Sequence, residues 1–124
     1  MLLRTVLAVS CLVSSCLAIA QAGPPFVGSW KVSWQGDRRV EEARLVITES
    51  GGTWRSARSI RMNACVGRET PIALEPVSTD RLKVRLKFSE VLQGCPDSFI
   101  TLRSADGQSV TGVRGSAELT LERQ

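Results

Sequence analysis

The sequence predicts an all-β fold: a small eight-stranded antiparallel up-and-down barrel carrying one disulfide. Three observations point there. Short runs alternate apolar and polar residues with the period of two expected for strands buried on one face. Turn residues separate these runs, and no long stretch of helical period lies between them. Two cysteines, Cys65 and Cys95, stand symmetrically about one of the turns. Closure is the favoured arrangement because it removes exposed sheet edges. A two-sheet β-sandwich is the alternative.

Residues 1–22 read as a signal peptide. Arg4 supplies a basic start, Thr5 to Ala20 is mostly apolar, and Ala20-Gln21-Ala22 is a cleavage site followed by Gly23-Pro24-Pro25. The apolar run is too short and too broken by serine to span a bilayer. Removing 22 residues from 124 leaves 102, a single domain over 23–124. Val13-Ser14-Ser15-Cys16 offers a second processing route, a lipid anchor on Cys16. The first route gives a secreted or periplasmic protein; the second, its alternative, gives one anchored to the membrane by lipid at Cys16.

The first strand covers 26–35 and sets Trp30, Val32 and Trp34 on one face, before a turn at Gly36-Asp37-Arg38-Arg39. The second covers 43–48, with Ala43, Leu45 and Ile47 inward. Ser50-Gly51-Gly52 makes a tight connection. The third runs from Thr53 to about Met62, and strict alternation sends Trp54, Ser56, Arg58 and Ile60 to one side. The fourth ends at Val77, where Pro76 marks an edge or a bulge. After Ser78-Thr79-Asp80, the fifth alternates from Arg81 to Phe88. Leu82, Val84, Leu86 and Phe88 share one face, and Arg81, Lys83, Arg85 and Lys87 the other.

A hairpin centred on residue 80 brings Cys65 and Cys95 side by side, so a disulfide is expected. It would close a loop of about 30 residues and contribute roughly 3–4 kcal/mol. A loop follows over 89–97, then a sixth strand over 98–103. Ala105-Asp106-Gly107 is a hairpin turn leading to a seventh strand over 109–114. The eighth covers 117–123, with Ala117, Leu119 and Leu121 inward.

Composition narrows the chemistry. The chain has no His and no Tyr, so the commonest general base and metal ligand is absent. With both mature thiols tied up, nothing suggests a metal or cofactor, and no nucleophile or phosphate-loop motif occurs. A carboxylate pair such as Glu90 and Asp97 reads as turn chemistry, not as a hydrolase site. The 16 basic residues, less Arg4 in the leader, oppose 12 acidic ones, a net charge of +3. That is too mild for nucleic-acid binding.

Two motifs at the ends of the domain resemble the calycin superfamily of lipocalins, avidins and small bacterial metalloprotease inhibitors. Gly28-Ser29-Trp30 matches their Gly-x-Trp opening, and Arg123 matches the basic residue that closes the barrel over that tryptophan. The resemblance implies a barrel closed by Trp30 and Arg123 and a binding function. It is nearest to the protease inhibitors, whose N-terminal segment would correspond to Gly23-Pro24-Pro25-Phe26. That segment is shorter here, and the disulfide links other parts of the chain.

The expectation is a non-enzymatic binding protein that recognises another protein through the disulfide-stapled loops and the N-terminal segment, with hydrolase inhibition as its specific form. The candidate binding residues are Trp34, Trp54, Arg68, Arg81, Lys83, Arg85 and Lys87. Two alternatives stand beside it. One is a carrier of a small apolar ligand in a cavity lined by Trp34, Trp54 and Leu82. The other is an envelope-associated assembly factor docking on acidic lipid through the basic face. Arg58 and Arg103 point inward by strict alternation, where a buried cation needs an acid; a bulge would re-aim them outward.

Overall fold

Eight strands form one closed antiparallel barrel in the computed structural model, which describes residues 22–58 and 63–124. Residues 1–21 of the expected signal peptide, with Cys16, lie outside the described residues, as does the far end of the expected third strand at 59–62. In chain order the strands are β1 (Gly28–Gln35), β2 (Val40–Ile47), β3 (Gly52–Ser56), β4 (Thr70–Ser78), β5 (Arg81–Leu86), β6 (Ser98–Arg103), β7 (Thr111–Arg114) and β8 (Ala117–Arg123). Each pairs with the next, and β8 pairs back onto β1. One helical turn, α1 (Phe88–Val91), interrupts the β5–β6 connection.

The register carries the inward alternation around the ring. Trp30 faces Leu45, Val32 lies between Ala43 and Leu121, Val84 between Leu74 and Ile100, and Leu102 beside Gly112. These side chains fill the interior. Leu45, Trp54, Leu82, Leu86, Ile100 and Leu102 are all less than 2 % exposed. Interiors packed this way leave few voids larger than a water molecule.

Glycine is required at two places. Gly52 opens β3 at φ 140°, and a Cβ there would stand 1.9 Å from the Val46 carbonyl oxygen. Gly28 also has φ 140°, and a Cβ would stand 2.8 Å from Nη1 of Arg123. The first glycine lets two backbones meet. The second leaves room for a guanidinium.

Several strand ends differ from the alternation reading. β2 starts at Val40, because Val40 pairs with Gln35 and Glu41 with Trp34 right up to the turn. β3 stops at Ser56, and β7 begins only at Thr111. β5 stops at Leu86; Phe88 is buried from α1, so the helical turn continues the apolar face where the strand ends. The register of β4 and β5 shifts between Pro76 and Ser78, a bulge where proline cannot donate to the ladder.

An up-and-down barrel has two distinct ends. The upper end carries the β1–β2, β3–β4, β5–β6 and β7–β8 connections, and the lower end carries the others and the segment before β1. Cys65 and Cys95 form a disulfide with their Cα atoms 5.6 Å apart. It ties the β3–β4 connection to the β5–β6 connection. Cys95 is buried, and Cys65 and Val66 pack on the core beside it.

Candidate functional site

The lower end is closed from within the chain. Arg123 and Trp30 are register partners on β8 and β1, and the guanidinium lies 4.3 Å from the indole centroid. The Arg123 fork donates to the Val27 carbonyl at 3.0 Å and the Pro25 carbonyl at 2.9 Å. The indole Nε1 donates to the Phe26 carbonyl at 2.9 Å. Phe26 itself is 1 % exposed. The Gly23–Phe26 segment, which the inhibitor resemblance would make an inserting arm, is therefore folded onto the barrel base. Ala22 is also buried there, and its N–H donates to the Glu49 carbonyl.

The upper mouth is plugged. Trp34 stacks on Trp54 with centroids 5.9 Å apart. Glu41 reaches inward beside them, only 7 % exposed. Arg58 donates to both of its carboxylate oxygens, at 2.6 and 3.2 Å, and Arg39 stands 3.8 Å away. The Arg58 hydrogen bond is the main reason the Glu41 carboxyl is held below its ordinary pKa, against the opposing effect of burial. Arg58 thus meets an acid at the mouth, whereas Arg103 is exposed. Arg114 is half-buried at the upper end of β7 and donates to Ser98 Oγ at 3.2 Å. Burial lowers its pKa, but a guanidinium stays charged at neutral pH. Leu82 lies at the opposite end of the barrel from Trp34, so the three residues proposed to line a carrier cavity do not share one chamber.

The β5 stripe faces outward, and much of it is partnered. Arg85 lies 3.6 Å from Glu75, and Lys87 3.3 Å from Glu90. Arg81 and Arg103 are register partners, and both flank Asp80. Lys83 Nζ lies 4.4 Å from the centroid of Phe99, and the Arg85 guanidinium 5.2 Å from the same ring. Phe99 is 37 % exposed, and Val113 on the neighbouring β7 is 45 % exposed. Arg68 is exposed in the β3–β4 connection, apart from the stripe in sequence, and its carbonyl accepts from Thr70 Oγ1.

Two features escaped the sequence reading. One is Phe99, whose same-face neighbours Asp97 and Thr101 are polar and which acquires its cations only through the β5–β6 register. The other is a row of cations on the opposite wall. Lys31 on β1 faces Arg44 on β2, and Arg44 faces Arg55 on β3. All three are exposed. Lys31 meets Glu42 at 3.5 Å; among the described residues Arg44 and Arg55 meet no carboxylate. The signal was present in the turns, since hairpins centred between residues 37 and 38 and between 49 and 50 set this register.

Among the described residues no three His, Cys, Asp or Glu side chains gather as a metal site. No family model matches the chain, and no characterised protein or solved structure is significantly similar to it.

Proposed function

We propose that this protein is an exported, non-enzymatic, calycin-like binding module that recognises another protein through the outer wall of β5 and β6. One observation carries the reading: Phe99 stands 37 % exposed, with Lys83 and Arg85 on its ring. An exposed aromatic flanked by long cations is the composition of an interface anchor. The charges around it are mixed, since Glu75, Glu90 and Asp80 sit among the cations. That pattern favours a protein surface offering carboxylates beside an apolar side chain over a uniformly anionic membrane.

The disulfide fits an oxidising compartment. Among the described residues no helix is long and apolar enough to cross a membrane. The packed interior argues against the apolar carrier.

The test starts with a pull-down from the source envelope and culture fluid, followed by calorimetric titration of the purified captured protein. Saturable 1:1 binding is expected, weakened at least tenfold by Phe99→Ala. If the captured protein is a hydrolase, loss of its activity at equal stoichiometry would establish the inhibitor form. The proposal fails if no protein binds, or if Phe99→Ala binds as well as wild type. Co-purifying acidic lipid in place of a protein would favour the envelope-docking alternative.

A further inference from the structure

We propose that Arg44 and Arg55, assisted by Lys31, form a binding site for a phosphomonoester group on the wall opposite Phe99. Lys31, Arg44 and Arg55 lie directly across from one another on three adjacent strands. Neighbouring strands are about 4.8 Å apart, so three cations stand within reach of a single small anion. Like charges set directly opposite are unfavourable in a sheet. The protein makes one other such pair, Arg81 with Arg103, and both act on the Asp80 carboxylate nearby. Among the described residues nothing comparable serves Arg44 and Arg55. Lys31 alone has acids beside it, Glu42 at 3.5 Å and Glu122 as its register partner on β8.

The surface between the cations is recessed. A cleft of about 290 Å³ lies there, floored by the sheet backbone at Ala43 and Ser56, whose side chains face the barrel interior, and by the short Ala57. A floor of backbone and one alanine lets the long cationic side chains close over a ligand from the rim. The volume admits a phosphoryl group and the first atoms of its ester chain.

The charge count selects the ligand. Glu42 and Glu122 both stand beside Lys31, so the uncompensated charge is that of Arg44 and Arg55, two positive charges against the two negative charges of a phosphomonoester dianion. A guanidinium fork binds two oxygens of a phosphate side by side, and two forks plus an ammonium can engage its terminal oxygens together. A monocarboxylate presents only two oxygens and would leave one arginine unused. β2 and β6 lie four strands apart around the eight-stranded ring, so this site and the Phe99 wall can be occupied at once.

The test is an NMR titration of the ¹⁵N-labelled protein with glycerol 3-phosphate at constant ionic strength held by sodium chloride. Saturable shifts are expected at the amides around Arg44 and Arg55, with half-saturation in the millimolar range. The Arg44→Gln, Arg55→Gln double variant should weaken binding at least tenfold, and Phe99→Ala should leave it unchanged. If the double variant does not fold, Arg55→Gln alone should weaken binding threefold or more. A second arm uses phosphatidylcholine vesicles with and without phosphatidic acid. Tighter, arginine-dependent binding to phosphatidic acid than to the soluble ester would identify a lipid headgroup as the source. Arginine-dependent binding of the soluble ester alone would identify a free phosphomonoester. The proposal is overturned if neither probe binds saturably, if chloride gives the same shifts, or if the arginine variants bind as wild type does.

Discussion

Arg123 shows how much one side chain can hold at the barrel base. It covers Trp30 and ties two carbonyls of the entering segment, Pro25 and Val27, across almost the whole length of the domain. Gly28 leaves the space its guanidinium occupies. Arg123→Ala is expected to cost about 2 kcal/mol, since a cation–π contact and charge-assisted hydrogen bonds each contribute roughly 1 kcal/mol. Arg123→Lys keeps the charge but cannot fork to both carbonyls, so it should lose about half as much. Urea unfolding reads both, and an unchanged midpoint would mean that Phe26 and Trp30 close the base unaided. Other residues at this scale were illegible from alternation. Glu41 is an acid on the inward face, and only its pairing with Arg58 explains it. Like charges on different strands, such as Arg44 and Arg55, disappear when each strand is read singly.

At the scale of elements the strands were readable because each carries its own period-two pattern with a buried face. The bulge at Pro76–Ser78 was readable too, since proline lacks the donor the ladder needs. Strand ends were not, because pairing partners decide them: Gln35 extends β2 back to Val40, and α1 takes over the apolar face at Phe88. The Cys65–Cys95 bond was placed from the hairpin centre, although both cysteines lie outside the ladders, in two upper connections. That position decides what its removal does. No ladder bond depends on it, so a Cys65→Ser, Cys95→Ser protein should keep its strand spectrum. It should lose roughly 3–4 kcal/mol through the unfolded chain, given a separation of 30 residues. Paired urea curves with and without the disulfide check this. A loss below about 1 kcal/mol would show that the two connections are held equally well by the packing of Phe88 and Val66.

For the whole molecule, the response to pH follows from which groups are present and how they are bound. The chain has no His, and both described cysteines are oxidised, so no side chain ordinarily titrates between pH 5 and 8. Four carboxyls are held below their ordinary values. Arg58 does this to Glu41, the Ser78 hydroxyl to Asp80, and the Ser89 hydroxyl and N–H to Asp97. For Asp106 it is the backbone N–H groups of Gln108 and Ser109, at 2.9 and 2.7 Å, that span the β6–β7 connection. A depressed pKa means that the unfolded chain takes up protons first as pH falls. The stabilisation is therefore complete above the ordinary values, 4.5 for Glu41 and 3.8 for the aspartates, and is lost as pH drops through the folded values. Thermal unfolding followed by circular dichroism should give a flat Tm from pH 5 to 8 and a fall that steepens below about pH 4. Glu41→Gln should lower Tm at neutral pH and make the acid limb shallower, because one of the four titrating groups is gone. A fall in Tm between pH 6 and 8 would contradict this account, because it would require a titrating group that these residues do not supply.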